Sequence, residues 1–229
     1  MWLFALKNGG IKMIFQNKDR IVFTGDSTTD AGRRRPYGEG LWEGVGNGYV
    51  RIVDSALCTI YPDRFFHIIN TGTSGATSKN LLENWQHDVV DLKPDWVFVM
   101  IGANDVWRHF DETAQHFNDN TPEEYRKNLE EMVARTKPNV KGMFIMSPFY
   151  MESNNGDAMK KMMVEYAAIA KDVAKENNVG YIDFQSDFDE HLKYRYPAYI
   201  SWDRVHPNWV GSMIIARKIL KEIGADPLY

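Results

Sequence analysis

The chain has 229 residues, of which 44% are hydrophobic and 25% are charged, and its formal net charge at pH 7 is −4. These values are ordinary for a globular protein, so they exclude a disordered, collagenous or low-complexity chain. A slightly negative chain offers no electrostatic footprint for a polyanion, so we do not expect nucleic acid as a partner.

The N-terminal segment and the single cysteine bear on where the protein works. Residues 1–6 are apolar but too short for the core of a secretory leader, and no run of about 18 apolar residues is present to span a membrane. Cys58 is the only cysteine, so no internal disulfide can form. We therefore predict a cytoplasmic protein with no membrane partner, and the apolar helical surroundings of Cys58 predict a buried thiol. A single domain is expected over residues 1–229, with residues 1–12, ahead of Met13, as an N-terminal extension.

Short apolar runs alternate with segments of helical periodicity along the rest of the chain. The apolar runs predict buried strands over residues 20–24, 65–70, 96–101, 143–146 and 179–184. The helical segments cover residues 78–93, 121–138, 159–173 and 210–223. This alternation is typical of β-α-β units, so we predict one α/β domain whose central parallel sheet is flanked by helices.

Polar segments follow the first three predicted strands and precede the last predicted helix. They cover residues 25–30, 70–77, 102–105 and 202–207. In parallel sheets of this kind, ligands bind beyond the carboxyl ends of the strands. We therefore expect all four segments to meet at one edge of the sheet and to form the functional site there.

The residue types in these segments point to acyl transfer. The Ser27 hydroxyl becomes a nucleophile when a base removes its proton, and a histidine such as His206 suits that task near neutral pH. Asp203, three residues earlier, can orient the imidazole through its other ring nitrogen. The backbone N–H groups of Ser27 and Gly75 and the Asn104 amide can supply three hydrogen bonds to an oxyanion.

Together these motifs resemble the four signature blocks of the SGNH (GDSL-type) hydrolase superfamily. The blocks are Gly-Asp-Ser27, Gly75, Gly-x-Asn104-Asp and Asp203-x-x-His206. A longer set of motifs is similar to the intracellular acetylxylan esterases among the carbohydrate esterases: Gly-Arg-x-Arg-Pro36, Gly38-Glu-Gly40, Gly48-Tyr49-Val50, Lys93-Pro-Asp-Trp96, Ile101-Gly-x-Asn-Asp-Val-Trp-Arg108, Pro148-Phe-Tyr150 and Trp202-Asp-Arg-Val-His-Pro207. One departure is Thr28, which stands where the family usually has an apolar residue after the serine.

The resemblance implies a three-layer, flavodoxin-like fold and a serine esterase that uses no metal or cofactor. It implies that Ser27 is the nucleophile, His206 the general base and acid, and Asp203 its orienting carboxylate, with Ser27, Gly75 and Asn104 in the oxyanion hole. The expected reaction removes O-acetyl groups from xylo-oligosaccharides or related sugars through an acetyl-enzyme, as a step in xylan degradation. A homo-oligomer is also expected.

Two tryptophans and a run of arginines near the expected site are each open to more than one interpretation. Trp107 and Trp202 flank the catalytic motifs, so either ring can stack on a sugar, although Trp107 fits core packing equally well. The basic run Arg33-Arg34-Arg35 fits a solvated or salt-bridged loop, a subunit contact or a rim that orients a sugar.

Other functions remain as alternatives from the sequence. The acyl specificity can instead be that of a lysophospholipase or thioesterase, or the chain can be a carbohydrate-binding protein that kept the scaffold without catalysis.

Gly-x-Ser-x-Gly, the nucleophile motif of α/β-hydrolases, is absent. No His-x-x-x-His or clustered ligand set is present, so we expect no metal site.

Overall fold

Six strands form one sheet in the computed structural model of the chain, which describes residues 13–40, 43–111 and 121–225. The strands are β1 (Arg20–Gly25), β2 (Gly38–Glu39), β3 (His67–Asn70), β4 (Trp96–Met100), β5 (Gly142–Met146) and β6 (Gly180–Ile182). Their order across the sheet is β2-β3-β1-β4-β5-β6. The interpretation of residues 1–12 as an extension lies outside the described residues.

Five of the strands are parallel, and the sixth is a short antiparallel edge. β1 pairs in parallel with β3 and with β4, whereas β2 runs antiparallel to β3 through only two residue pairs. Without β2, the parallel strands have the flavodoxin-like order 2-1-3-4-5, which reverses direction between β1 and β4. That reversal opens a crevice at the carboxyl ends of β1 and β4, where ligands bind in such sheets.

Helices cover both faces of this sheet. They are α1 (Ser27–Asp30), α2 (Tyr49–Ile60), α3 (Ser78–Asp88), α4 (Ala103–Trp107), α5 (Pro122–Thr136), α6 (Ala158–Glu176), α7 (Gln185–Leu192) and α8 (Trp209–Glu222). Buried side chains of α2 and α8 pack with one hydrophobic cluster, and those of α3, α5 and α6 pack with the other. The result is the predicted arrangement of helix, sheet and helix layers.

The central strand β4 shows why the sheet needs both helical layers. All five of its residues are buried. Trp96, Phe98 and Met100 belong to the cluster with α2 and α8, whereas Val97 and Val99 belong to the cluster on the other face. Successive strand residues point to opposite faces, so a strand that is apolar throughout must be covered on both sides.

The predicted fold class is confirmed, and several local features differ from the expectations. The two-residue strand β2 was missed because it is too short to show a pattern. The helices α1 and α4 were missed for the same reason of length, and α7 was missed because Phe188 and Leu192 are its only apolar residues. Of α2, only the stretch around Cys58 was expected to be helical. The prediction of a buried thiol was wrong: Cys58 is exposed, because α2 turns Tyr49, Val50, Val53 and Leu57 inward and Cys58 away from the core.

The length and polarity of the helices determine whether one of them could cross a membrane. Within the described ranges, no helix combines the length and the apolar character needed to cross a bilayer.

Candidate active site

Ser27 lies at a sharp turn between β1 and α1. Gly25 ends the strand with a φ of 155°, and a Cβ atom there would lie 2.2 Å from the Met100 carbonyl oxygen, so only glycine fits. Asp26 then caps α1, because its carboxylate accepts a hydrogen bond of 3.0 Å from the Thr28 backbone N–H. The strand therefore delivers Ser27, as the first residue of α1, to the carboxyl edge of the sheet.

Ser27, His206 and Asp203 form a continuous chain of hydrogen bonds. The Ser27 Oγ atom lies 2.7 Å from His206 Nε2, and His206 Nδ1 lies 2.5 Å from Asp203 Oδ2. A carboxylate can only accept, so Nδ1 carries the hydrogen, and in the neutral imidazole Nε2 is the acceptor that faces the serine. This is the geometry in which a histidine can take the proton of a serine hydroxyl.

Several donors hold Asp203 in place and keep it ionised. Its Oδ1 atom accepts hydrogen bonds from the Ser201 hydroxyl at 3.0 Å, the Val205 N–H at 3.0 Å and the His206 N–H at 2.8 Å. Partial burial acts to raise the pKa of Asp203, but the hydrogen bonds from His206 and Val205 outweigh it and lower the pKa below 3.8. Asp203 therefore stays a carboxylate and fixes the orientation of the imidazole.

The three expected oxyanion donors come from different elements. Neither the Ser27 nor the Gly75 backbone N–H donates a hydrogen bond to another residue in the described part of the chain. Gly75 has a φ of 79°, a left-handed conformation that favours glycine. The Asn104 amide donates one hydrogen bond of 3.0 Å to the Ala76 carbonyl oxygen, which ties it to the Gly75 loop, and it has a second N–H to offer.

Two buried aspartates lie behind the site. Burial raises the pKa of Asp26 to about 6, against the lowering effect of the Thr28 backbone hydrogen bond. Burial raises the pKa of Asp105 to about 6 as well, against hydrogen bonds from the Ser78 hydroxyl and N–H. Both carboxyl groups hold the start of a helix: Asp26 caps α1, and Asp105 accepts hydrogen bonds from the Ser78 N–H at the start of α3.

The two tryptophans that flank the motifs have different environments. The Trp107 ring is partly buried, and its centroid lies 5.8 Å from that of the His206 imidazole, so it forms one wall beside the base. Trp202, directly before Asp203, is 84% exposed. Of the two, Trp202 has the free ring face that sugar stacking needs.

The loop that carries Asp203 and His206 is anchored to the loop after β5. The Met151 N–H donates a hydrogen bond of 2.8 Å to the Arg204 carbonyl oxygen, and the Arg204 guanidinium forms an ion pair with Glu152. Arg204 itself has a φ of 68°. Together with the hydrogen bonds between Asp203 and His206, these contacts restrain the part of the loop that precedes the histidine.

Across residues 13–40, 43–111 and 121–225, no three His, Cys, Asp or Glu side chains are grouped so that they could hold a metal ion.

The structure thus joins Ser27, His206 and Asp203 through hydrogen bonds and ties Asn104 to the Gly75 loop, and it adds residues that the motifs did not indicate. Ser201 was missed as a donor to Asp203, and no spacing rule could have found it. Glu152 was missed as a partner of Arg204, because the two residues are distant in sequence.

Comparisons with known proteins give the chain its relatives. The model of the GDSL-like lipase/acylhydrolase family matches residues 23–214. An acetylxylan esterase from Geobacillus stearothermophilus is 45% identical over 208 residues, which cover 91% of this chain and 95% of that enzyme.

Solved structures are similar over the same extent. A catalytic mutant of Axe2, an acetylxylan esterase from Geobacillus stearothermophilus, superimposes with a TM-score of 0.90 at 43% identity, covering 93% of this chain and 97% of that one. An alpha/beta hydrolase enzyme from the metagenome of Lake Arreo, Spain, gives a TM-score of 0.90 at 42% identity, covering 93% of this chain and 98% of that one. Three of the Axe2 structures are catalytic mutants in which a serine, an aspartate or a histidine is replaced by alanine.

Proposed function

The chain belongs to the GDSL-like lipase/acylhydrolase family, and from this premise we propose that it is a serine esterase that removes O-acetyl groups from xylo-oligosaccharides. The observation that carries the proposal is the hydrogen-bonded chain Ser27–His206–Asp203. The family matches the one that the sequence motifs resembled. The acyl group and the sugar rest on the similarity to the acetylxylan esterases.

In the first half of the reaction, Ser27 Oγ attacks the ester carbonyl carbon while His206 Nε2 takes its proton. The carbonyl oxygen becomes an oxyanion, and the N–H groups of Ser27, Gly75 and Asn104 are the donors for it. The imidazolium that forms is stabilised by the Asp203 carboxylate. When the tetrahedral intermediate collapses, His206 returns its proton to the sugar oxygen, the C–O bond breaks and an acetyl-enzyme remains on Ser27.

In the second half, water takes the place of the sugar. His206 removes a proton from the water, the oxygen attacks the acetyl carbon, and the same donors stabilise the second oxyanion. Collapse breaks the bond between the acetyl carbon and Ser27 Oγ, returns the proton from His206 to Oγ and releases acetic acid, which ionises to acetate. No metal is needed in either half, because His206 activates both nucleophiles.

The roles of the three residues gain support from the relatives. The serine, aspartate and histidine replaced in the catalytic mutants of Axe2 lie at the same intervals along that chain as Ser27, Asp203 and His206 lie along this one. Since the chains also superimpose closely, we assign the same three roles here.

A substrate panel tests the acyl and sugar specificity. Acetate release from acetylated xylo-oligosaccharides is compared with fatty-acid release from a lysophospholipid and with hydrolysis of aryl esters of increasing chain length. We expect release from the acetylated sugar and a decline with acyl length. A preference for long acyl chains would replace the proposal with the lysophospholipase or thioesterase alternative. Sugar binding without turnover of any ester would leave a carbohydrate-binding protein.

We further propose that the protein works in the cytoplasm as a homo-oligomer. A free, exposed Cys58 suits a reducing compartment. Several large apolar side chains are exposed between residues 194 and 213, including Tyr194, Tyr196, Tyr199 and Trp209, and exposed apolar surface of this kind favours association. Light scattering on the purified protein measures the mass of the assembly.

A further inference from the structure

Arg33, the first residue of the basic run, is buried rather than solvated. It is 7% exposed, and its guanidinium donates hydrogen bonds to the carbonyl oxygens of Gly72 at 2.7 Å, Thr71 at 3.2 Å and Pro36 at 2.6 Å. None of these acceptors is a carboxylate. A buried cation is expensive unless its donors are satisfied, so the loop after β3 must keep the conformation that presents these carbonyls.

Asp30, the last residue of α1, holds the same loop from the other side. It is 2% exposed, and its Oδ2 atom accepts hydrogen bonds from the Ser74 N–H at 2.9 Å and the Ser74 hydroxyl at 2.8 Å. Arg35 completes the arrangement with an ion pair of 2.6 Å to the same oxygen. Partial burial acts to raise the pKa of Asp30, but the hydrogen bonds from Arg35 and Ser74 lower it overall.

The residues held in this way lead directly to Gly75. The Arg33 guanidinium fixes residues 71 and 72, Asp30 fixes residue 74, and the next backbone N–H is that of Gly75. Gly75 itself is exposed, and a Cβ atom placed on it would have only the Arg108 side chain within 4 Å, at 3.9 Å. The position of its N–H therefore depends on the residues before it. Asp30 lies on the four-residue helix that begins with Ser27. Its side chain therefore connects the helix that carries the nucleophile with the loop that carries the Gly75 N–H.

We propose that Arg33 and Asp30 are positioning residues that fix the Gly75 N–H relative to Ser27 for stabilisation of the oxyanion. This inference rests on the proposed function, and it gives the basic run a role inside the esterase rather than at a sugar-binding rim. Neither side chain touches the reacting atoms.

The consequence for kinetics is specific. The oxyanion exists only in the transition state and the tetrahedral intermediates, so loosening one of its donors lowers kcat and leaves substrate binding nearly unchanged. A loss of fold or a damaged sugar site would raise KM or lower the amount of folded enzyme instead.

The test uses Arg33→Met and Ser74→Ala in the full chain, with Arg34→Met as the matched control. Arg34 is the exposed neighbour in the same run. Ser74 is exposed, so its replacement removes the hydroxyl bond to Asp30 with little risk to folding. Steady-state kinetics are measured with an aryl acetate at a temperature well below the melting temperature of the least stable variant. For each variant, the affinity for a boronic acid that forms a tetrahedral adduct on Ser27 is also measured.

We expect kcat to fall about 10- to 100-fold in Arg33→Met and about 3- to 10-fold in Ser74→Ala, with KM within about threefold and boronate affinity falling in parallel with kcat. Arg34→Met should match the wild type.

Folded variants with wild-type kcat, or a fall in kcat without a fall in boronate affinity, would overturn the inference. If Arg33→Met does not fold, Ser74→Ala decides the question alone. An active wild type with unaffected variants rejects only the positioning role, whereas a wild type that hydrolyses no ester rejects the proposed function and the positioning role together.

Discussion

Asp203 organises the site at the scale of single residues. One carboxylate oxygen accepts from Ser201, Val205 and His206, and the other binds the His206 ring. The spacing Asp-x-x-His predicted the pair only together with the other three motif segments, since the same spacing also occurs in loops that cap a helix. The contribution of Ser201 was not predictable, since a hydroxyl two residues before an aspartate has no fixed orientation until the loop folds.

The Asn104 amide allows the oxyanion hole to be tested without removing the nucleophile. We expect Asn104→Ala to lower kcat about 10²- to 10³-fold with little change in KM, because the lost hydrogen bond acts mainly on the oxyanion. Asn84→Ala, an exposed change on α3, is the control and should behave as the wild type. Steady-state kinetics with an aryl acetate measure both constants. A kcat within threefold of the wild type would remove Asn104 from the oxyanion hole.

Trp202 tests the sugar site separately from the chemistry. Its ring is 84% exposed beside Asp203, so stacking on a xylose unit should contribute about 1 kcal/mol to binding. We expect Trp202→Ala to raise KM for acetylated xylo-oligosaccharides about 5- to 10-fold and to leave KM for an aryl acetate nearly unchanged. Phe65→Ala is the control, because this exposed aromatic residue precedes β3 and lies at the amino ends of the parallel strands, away from the site at their carboxyl ends. Equal effects on both substrates would argue against stacking.

At the scale of elements, the strand order accounts for the convergence of the motifs. β1 and β4 are neighbours in the parallel sheet, so the residues after them, Ser27 and Asn104, meet at the same edge. This convergence was predictable, because apolar runs and intervening helices identify a parallel sheet. The short elements α1, α4 and β2 were not, since elements of two to five residues are too brief to show a period.

The junction between α3 and α4 predicts how stability depends on pH. Asp105 has a pKa raised to about 6 by burial, so the folded protein holds its proton in a range where the unfolded chain has lost it. Its stabilising contribution is therefore present below the ordinary pKa of 3.8 and is lost as the pH rises through about 6.

Asp105→Asn removes that titration and keeps an oxygen that can accept from Ser78. Relative to the wild type, its free energy of unfolding should rise by up to ~3 kcal/mol between about pH 4 and about pH 7. Denaturant unfolding at both pH values measures the change. Asp63→Asn, an exposed change after α2, should show no such difference between the two pH values. A difference in free energy of unfolding between Asp105→Asn and the wild type that stays constant across this pH range would contradict the raised pKa of Asp105.

At the scale of the whole molecule, the fold joins residues that are far apart in the chain. Ser27 and His206 are separated by 179 positions, yet their side chains form a hydrogen bond of 2.7 Å. The sequence predicted this meeting from the sheet topology and from the family motifs together. The tethers around the site, Arg33 to Gly72 and Arg204 to Glu152, could not be predicted, because they depend on how loops pack after the sheet has formed.

The most direct test of the serine esterase is acetate release from acetylated xylo-oligosaccharides by the wild type, Ser27→Ala and Ser55→Ala. A chelator is present throughout, since the proposed chemistry uses no metal. Ser55 is an exposed serine on α2 and serves as the control. The account predicts release by the wild type and by Ser55→Ala at similar rates, and a rate at least about 10⁴-fold lower for folded Ser27→Ala. Release by Ser27→Ala within tenfold of the wild type would contradict it.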